Sequence, residues 1–210
     1  DAVSVAIQGT DEWLAARLGH TTASRFKEVL VKGRKKGEDW GDTAKSYAYE
    51  LVAERLTGQS QPVFPSAAMQ WGTDNEPLAV AAYEEAQGVQ VEPAPFVTHP
   101  LLDYVGGSSD GFVGDAGMIE VKCPASKNHV RTIDAGVMPS EHTAQVQGNL
   151  WITGRDWCDF VSFDPRFPES SRLFITRVDR DPEFIETLSD RVEAFNAMIL
   201  EVVEVCDAQQ

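Results

Sequence analysis

Two acidic residues and a lysine near the middle of the chain have the types and spacing that hydrolysis of a phosphodiester requires. Asp110 lies in the sequence SSDG (108–111), while Glu120 and Lys122 lie in IEVK (119–122). Because side chains alternate along a β-strand, Glu120 and Lys122 are expected to point from the same face of a sheet. Carboxylate oxygens are preferred ligands of Mg²⁺ and Mn²⁺, and a nearby lysine can hold or deprotonate an attacking water. If Asp110 ends the neighbouring strand of a hairpin, the pattern indicates a metal-dependent phosphodiesterase site.

The same residues also have an ordinary structural interpretation. An Asp-Gly pair suits a turn, and Glu-x-Lys is common on exposed strands. The neighbouring residues Val113, Met118, Ile119 and Val121 are apolar, however, and predict core strands. Unpaired charges are costly in such strands, so the carboxylates there favour the catalytic interpretation.

Periodicity and turn residues predict the elements that must position these side chains. Helices are predicted over residues 11–18, 23–31, 42–57, 66–87, 140–152 and 182–205, and strands over 89–97, 104–113, 118–122, 159–163 and 173–178. Residues 32–37 predict a loop and residues 59–65 a linker. Asp42 or Thr43 is expected to cap the third helix, and Gly58 and Gly88 to end the third and fourth. This order is typical of one α/β (α+β) domain, in which a mixed sheet is flanked by helices, and the domain is expected to cover residues 1–210.

The bulk composition describes an ordinary soluble protein. The chain has 210 residues, of which 42% are apolar, and a mean hydropathy of −0.26. No apolar run is long enough to span a bilayer and the first residues lack a signal-peptide pattern, so no membrane association is expected. Three scattered cysteines favour neither a disulfide framework nor a zinc site, which points to a reducing cytoplasm.

The formal charge of −15 is unusual for a protein that binds nucleic acid, because attraction to phosphate normally supplies most non-specific affinity. One explanation places the acidic residues on outer helices such as 182–207 and leaves a local positive channel. Six basic residues within twelve positions support it: Arg25, Lys27, Lys32, Arg34, Lys35 and Lys36. Alternatively, the protein mimics DNA or binds a basic partner, but mimicry predicts lost metal ligands, and Asp110, Glu120 and Lys122 are all present.

Seven short segments carry a family resemblance that extends over most of the chain. In order, they are EWLAARLG (12–19), TAS (22–24), WGTDNE (71–76), GSSDG (107–111), EVKCP (120–124), AQVQ (144–147) and FDPR (163–166). In these segments the chain resembles the phage-type alkaline exonucleases of the λ exonuclease group, the YqaJ-like family. Ser109 departs from the pattern, since a proline is expected there, and this change should loosen the turn without removing Asp110.

The resemblance implies a restriction-endonuclease-like core with a long C-terminal helix and two divalent ions, Mg²⁺ or Mn²⁺, in each active site. It implies processive 5′→3′ digestion of one strand of linear double-stranded DNA to 5′-mononucleotides. The 3′ overhangs left behind would serve a single-strand annealing protein in phage-type recombination. A ring-shaped homotrimer, encoded by a phage or prophage and working in the bacterial cytoplasm, is also implied.

The resemblance assigns roles to nine residues. Asp110, Glu120 and the backbone carbonyl of Val121 would hold metal, and Lys122 would hold or deprotonate the water. Glu76 would support a water or the second ion, although a solvent-facing helical position is an alternative. The DNA end with its 5′-phosphate would be bound by the remaining four residues: Arg17, Ser24, Ser108 and Gln145. Ser24 has the alternative of capping its helix.

Several alternatives remain at this stage. The same core could belong to an endonuclease or to a repair nuclease of the RecB type, although a 5′-phosphate pocket favours an enzyme that acts at ends. The lysine-rich loop 32–37 could contact the duplex, and Trp40 beside it could stack on a base or contact a second subunit. His99 is interpreted as structural. Gln147, two residues beyond Gln145, is expected to point to a different side of its helix.

Overall fold

The fold comes from a computed structural model, which describes residues 9–60 and 64–208. In chain order its elements are α1 (Asp11–Arg17), β1 (Thr21–Thr22), a 3-10 turn (Ala23–Arg25), α2 (Phe26–Val29), α3 (Asp42–Thr57), α4 (Ala67–Gln87), β2 (Val97–Thr98), β3 (Val105–Gly107), β4 (Gly111–Val113), β5 (Gly117–Lys122), α5 (Ser126–Ala135), a second 3-10 turn (Ser140–His142), α6 (Thr143–Thr153), β6 (Trp157–Phe163), β7 (Leu173–Asp179) and α7 (Pro182–Asp207). The predicted mixed sheet with flanking helices and the long C-terminal helix are confirmed. Residues 61–63 of the predicted linker, and the ends of the predicted 1–210 domain, lie outside the described residues.

A four-stranded mixed sheet in the order β4-β5-β6-β7 forms the centre of the molecule. Strand β5 pairs antiparallel with β4 and parallel with β6, and β7 closes the sheet antiparallel to β6. Both faces of β5 and β6 are covered, which explains their nearly continuous burial. Ile119 and Val121 pack towards Tyr83 of α4, whereas Met118 packs with Leu150 of α6. Since side chains alternate, Glu120 and Lys122 share the α6 face with Met118.

A second, three-stranded sheet in the order β1-β3-β2 lies beside the main one. Its residue Val105 belongs to the largest apolar cluster, which also contains buried side chains of α2, α3 and α7 such as Phe26, Leu51 and Phe195. The chain leaves this sheet at Gly107 and enters the main sheet at Gly111. Residues 108–110, which carry two of the predicted site residues, therefore connect the two sheets.

Four sequence predictions are wrong in detail. The predicted strand 104–113 is two strands in different sheets, and most of the predicted strand 89–97 contributes just an isolated bridge from Glu92 to Phe112 before β2 begins. The predicted helix 23–31 is a 3-10 turn followed by a single helical turn. Helix α3 is preceded by Gly41 rather than capped by Asp42 or Thr43. Helix α5 was not predicted.

Asp164 directly follows β6 and connects this strand with α5 and α4 near the carboxyl ends of the central strands. Its side chain is fully buried and accepts hydrogen bonds from Ser126 Oγ at 2.8 Å and from Arg166 Nε and Nη2, both at 2.8 Å. The Arg166 guanidinium in turn lies 4.3 Å from the ring centre of Trp71 on α4. Asp164 thereby fixes the first turn of α5 relative to α4.

Replacing Asp164 with Asn is expected to lower the free energy of unfolding by about 2 kcal/mol, the scale of charge-assisted hydrogen bonds. The Arg166 hydrogen bonds hold the pKa of Asp164 at about 2, below its ordinary value of 3.8. The stabilisation is therefore fully present above about pH 4 and is lost as the pH falls towards 2. Urea unfolding of both proteins at several pH values should show a difference that is constant near neutrality and shrinks in acid. Asp190→Asn on the exposed face of α7 is the control, and an equal loss there would contradict the assignment.

Candidate active site

The predicted site residues, although far apart in sequence, line one cleft with a volume of about 1110 Å³. They are Arg17, Ser24, Glu76, Ser108, Asp110, Glu120, Val121, Lys122 and Gln145. The cleft lies where β5 ends, between α1 and the first 3-10 turn on one side and α4, α5 and α6 on the others. The structure thus brings together the proposed catalytic residues and the proposed phosphate-binding residues.

Asp110 is held at the start of β4 by the β4–β5 hairpin. Its backbone N–H donates to the carbonyl of Ile119 at 3.2 Å, and its Oδ2 accepts from the backbone N–H of Val121 at 2.6 Å. Burial, followed by the neighbouring charge of Glu120, raises the pKa of Asp110 well above its ordinary value. The predicted hairpin is present, and Asp110 immediately precedes its first strand, β4, on the side of Glu120 in β5.

Glu120 and Lys122 form an ion pair at the floor of the cleft. Lys122 Nζ donates to Glu120 Oε1 at 2.6 Å, and the glutamate side chain is 1% exposed. Burial tends to lower the pKa of Lys122, but Glu120 and Asp110 raise it more strongly, and the net shift is upward. The sequence could not decide between these opposing effects. Before any cation binds, Lys122 is therefore an ammonium group that balances the two carboxylates.

The donor atoms at this position fit a hard divalent cation. Glu120 Oε2 is buried and has no hydrogen-bond partner in the structure, an arrangement that is costly unless a ligand completes it. The predicted donor set also contains a carboxylate oxygen of Asp110 and the carbonyl of Val121, both of which line the cleft. Across residues 9–60 and 64–208, no group of three or more His, Cys, Asp and Glu side chains is positioned to hold a metal ion. The predicted set does not need one, because it combines two carboxylates with a main-chain oxygen.

Glu76 projects from α4 into the same cleft, immediately before Pro77. Burial raises the pKa of Glu76, the charge of Glu120 raises it further, and Lys122 opposes the shift. Glu76 is thus close enough to Glu120 to feel its charge. The structure therefore places Glu76 in the cleft rather than on a solvent-facing side of α4.

The residues proposed to bind phosphate line the same cleft. Arg17 stacks on Trp13 one helical turn earlier, with 4.6 Å between the guanidinium carbon and the ring centre. The Trp13 indole Nε1 donates to Ser108 Oγ at 2.7 Å, and this contact ties α1 to the segment that carries Asp110. Gln145 Oε1 lies 3.5 Å from Lys122 Nζ. Arg17, Ser108 and Gln145 are therefore linked to the catalytic side of the cleft.

Ser24 and Gln147 resolve two questions that the sequence left open. Ser24 lies inside the first 3-10 turn, with its Oγ 3.3 Å from Thr22 Oγ1, and it caps no helix. Gln147 is buried and points away from the cleft: its amide nitrogen donates to the carbonyl of Asp179 and its oxygen accepts from the backbone N–H of Asp181. Gln147 therefore supports the turn between β7 and α7.

Several cleft residues were missed by sequence reasoning. They are Trp13, Asn128, Arg131, Thr132 and His142. Trp13 could have been found, because it lies one helical turn before Arg17 on the same face of α1. Asn128, Arg131 and Thr132 belong to α5, which was not predicted.

The first explanation of the acidic composition holds in part: the acidic residues of α7 lie away from the cleft, but four acidic residues line the cleft beside the four basic ones, and Lys27 is the one member of the basic cluster at 25–36 among them. The exposed acidic residues of α7 lie away from the cleft: Glu183, Glu186, Asp190, Glu193, Glu201, Glu204 and Asp207. Four basic residues line the cleft: Arg17, Lys27, Lys122 and Arg131. Trp40, considered for base stacking, instead packs against Phe195 of the apolar core with Arg191 over its ring. His99 is buried and packs on Trp151, as a structural histidine would.

Comparison with known proteins places the fold in the alkaline exonuclease class. The alkaline exonuclease LHK-Exo from Laribacter hongkongensis is 40% identical, with a TM-score of 0.87 over 95% of this chain and 97% of the other. The structure of LHK-Exo in complex with dAMP matches with a TM-score of 0.88 at the same identity and coverage. A phage-related exonuclease from Haemophilus somnus 129PT, at 18% identity and a TM-score of 0.68, shares the fold. A search of the curated proteins finds no match.

The family follows from the family model described as YqaJ-like viral recombinase domain, which matches residues 12–156 of this chain. This chain belongs to that family, and with the alkaline exonuclease similarity it is a nuclease of phage-type recombination. No helix in the described part of the chain is long and apolar enough to cross a membrane.

Proposed function

We propose that the protein is a Mg²⁺-dependent exonuclease that digests one strand of linear double-stranded DNA in the 5′→3′ direction. It releases 5′-mononucleotides processively and leaves 3′ overhangs for strand annealing. The observation that carries this proposal is the position of Arg17, Ser24, Ser108 and Gln145 in the same cleft as Asp110, Glu120 and Lys122. A pocket for a terminal phosphate beside the hydrolytic residues suits an enzyme that works from an end. The dAMP complex of the 40% identical exonuclease is consistent with a nucleotide product.

The residues of the chain divide the proposed reaction between them. Arg17 and the polar groups of Ser24, Ser108 and Gln145 hold the terminal phosphate by charge-assisted hydrogen bonds, which position the first phosphodiester over Asp110 and Glu120. Lys122 orients the attacking water and offsets negative charge as it develops on the phosphate. Two Mg²⁺ or Mn²⁺ ions, held by Asp110, Glu120 and the Val121 carbonyl with support from Glu76, would polarise the phosphate and lower the pKa of the water.

Digestion of a linear duplex labelled at one 5′ end, in Mg²⁺, tests this function directly. We expect labelled mononucleotide as the first product, released faster when the end carries a 5′-phosphate than when it carries a hydroxyl. The complementary strand should stay intact and accumulate as single strand. A covalently closed circle is the control substrate. Internal fragments, or cutting of the circle at a similar rate, would instead establish the alternative of an endonuclease or a RecB-type repair nuclease on the same core.

We infer further that the enzyme acts as a homotrimer with a single-strand annealing protein as its partner. Both parts of this inference are what the resemblance to the λ exonuclease group implies. Light scattering of the purified protein, alone and with the annealing protein, measures both assemblies. A monomer at micromolar concentration would contradict the trimer and remove the enclosure on which processivity depends.

A further inference from the structure

A small recess in the wall of the cleft contains a lysine with no role in the proposed function. The recess is lined by Ser24, Lys27, Glu141, His142 and Gln145. Because Ser24 and Gln145 are two of the residues proposed to bind the terminal phosphate, Lys27 lies at the edge of that pocket. Lys27 is one of six basic residues that the sequence grouped together, and the structure separates it from its neighbours.

The local helical geometry directs Lys27 to the cleft and Arg25 away from it. Lys27 follows Ser24 by three residues, a spacing that brings two side chains to the same side of a helical turn. Arg25 turns to the other side, where it donates to Glu28 at 2.9 and 2.7 Å and also pairs with Glu50. The guanidinium of Arg25 additionally lies 3.8 Å from the ring centre of Tyr47. Arg25 is therefore neutralised within the protein, whereas Lys27 is not.

Lys27 is available to an incoming anion. It is exposed and lies within ion-pair distance of no acidic side chain in the described residues. Glu141, the carboxylate in the recess, has a side chain that is 72% exposed. Lys122 differs from Lys27 because Glu120 already holds it.

The histidine in the recess does not supply the positive charge. Burial lowers the pKa of His142 to about 4, with Lys122 and Lys27 adding to the effect, so its imidazole is neutral near pH 7. His142 also stacks on Phe160, with 5.2 Å between ring centres. Lys27 and His142 line the same recess. In the described residues, Arg17, Lys27 and Arg131 line the cleft with no acidic side chain within ion-pair distance, and of these three Lys27 is the one that also lines the recess with Ser24 and Gln145.

We propose that Lys27 is a specificity-determining residue that supplies the second positive charge of the terminal-phosphate pocket. The inference rests on the proposed recognition of a 5′-phosphate. A terminal phosphate monoester carries a charge of about −1.5 to −2 near pH 7, whereas an internal phosphodiester carries a single negative charge. Arg17 balances one charge, and Lys27, beside Ser24 and Gln145, balances the second. The pair therefore selects a terminal phosphate over an internal one.

Binding of a fluorescent duplex with either a 5′-phosphate or a 5′-hydroxyl, measured by anisotropy in EDTA, tests the inference without cleavage. For Lys27→Gln we expect the ratio of the two affinities to fall about tenfold, the effect of losing one charge-assisted hydrogen bond. Lys27→Arg should restore most of the ratio because it keeps the charge. Lys36→Gln removes one charge outside the cleft and should leave the ratio unchanged, even if both affinities fall.

The outcomes separate this inference from the function on which it rests. If the wild-type protein prefers the phosphate and Lys27→Gln keeps that preference, the role of Lys27 is wrong while end recognition stands. An equal fall in both affinities for Lys27→Gln would make Lys27 a general contact to DNA and would also overturn the inference. If the wild-type protein has no preference, terminal-phosphate recognition fails first, and the role of Lys27 fails with it.

Discussion

Glu120→Gln is expected to slow phosphodiester cleavage by at least about a thousandfold, equivalent to about 4 kcal/mol of transition-state stabilisation. The substitution keeps the shape of the side chain, and its oxygen can still accept from Lys122 as Glu120 Oε1 does at 2.6 Å. The substitution removes the negative charge of the Glu120 carboxylate. The Oε2 atom of this carboxylate is buried, has no hydrogen-bond partner and is the atom best placed to bind a divalent cation. The substitution also removes the repulsion between Glu120 and Asp110 but weakens the ion pair with Lys122, so the two effects oppose each other and little net change in thermal stability is expected.

Single-turnover release of the first nucleotide, thermal unfolding and calorimetric titration with Mg²⁺ separate loss of chemistry from loss of fold. Asp110→Asn should behave in the same way. Glu169→Gln is the matched control, because that side chain is 87% exposed and lies outside the cleft. If the Glu120 variant kept more than a few per cent of the wild-type rate with metal binding intact, Glu120 would not be a metal ligand.

The sequence predicted best those elements whose ends carry strong local signals. Helix α4 begins after Ser66, whose side chain accepts from the backbone N–H of Met69, and ends at Gly88 in the left-handed conformation. Helix α7 follows Asp181, which caps it in the same way, and buries a regular apolar face. In both helices the caps and the periodicity lie within the element, so no tertiary information is needed to find them.

The prediction failed where tertiary structure divides a continuous pattern. Residues 104–113 look like one strand, but the pairing partners change at Gly107, from the small sheet to the main one. Gly107 has space for no side chain, since a Cβ there would lie 2.3 Å from Asn149 Oδ1. Helix α5 was missed for the opposite reason. Its start is fixed by the distant Asp164 through Ser126 rather than by a local cap.

The relative positions of the proposed catalytic residues could be predicted because they follow from local structure. The spacing of Asp110, Glu120 and Lys122 follows from a hairpin and an alternating strand, and both are present. Lys27 shows the limit of this approach. In sequence it is one of six basic residues between positions 25 and 36, and the pattern gives no reason to choose it among them. Arg25 has two acidic partners, one of which, Glu50, is 25 residues away in sequence. These partners make Arg25 a paired cation, whereas Lys27 remains available.

Arg17→Gln is expected to lower the cleavage rate on 5′-phosphorylated ends about a hundredfold, equivalent to roughly 3 kcal/mol, and to change the rate on 5′-hydroxyl ends little. Burial lowers the pKa of Arg17, and no acidic side chain in the described residues lies within ion-pair distance of it. A desolvated guanidinium without a carboxylate partner gains a large binding free energy from an incoming phosphate. The effect should therefore exceed the tenfold change expected at the exposed Lys27.

Three variants test separately what Arg17 contributes: Arg17→Gln, Arg17→Lys and Trp13→Phe. Initial cleavage rates on phosphorylated and on hydroxyl ends distinguish the charge of Arg17, the geometry of its guanidinium and the support that Trp13 gives it. Lysine keeps the charge but loses the two-pronged donor, so it should restore the rate in part. Trp13→Phe keeps a ring under Arg17 but removes the 2.7 Å hydrogen bond to Ser108, and it should give a smaller loss that is also specific to phosphorylated ends. Arg34→Gln, exposed and outside the cleft, is the control. Equal losses on both ends for Arg17→Gln would mean that Arg17 contacts the DNA backbone in general, because a terminal-phosphate pocket cannot act on an end that lacks the phosphate.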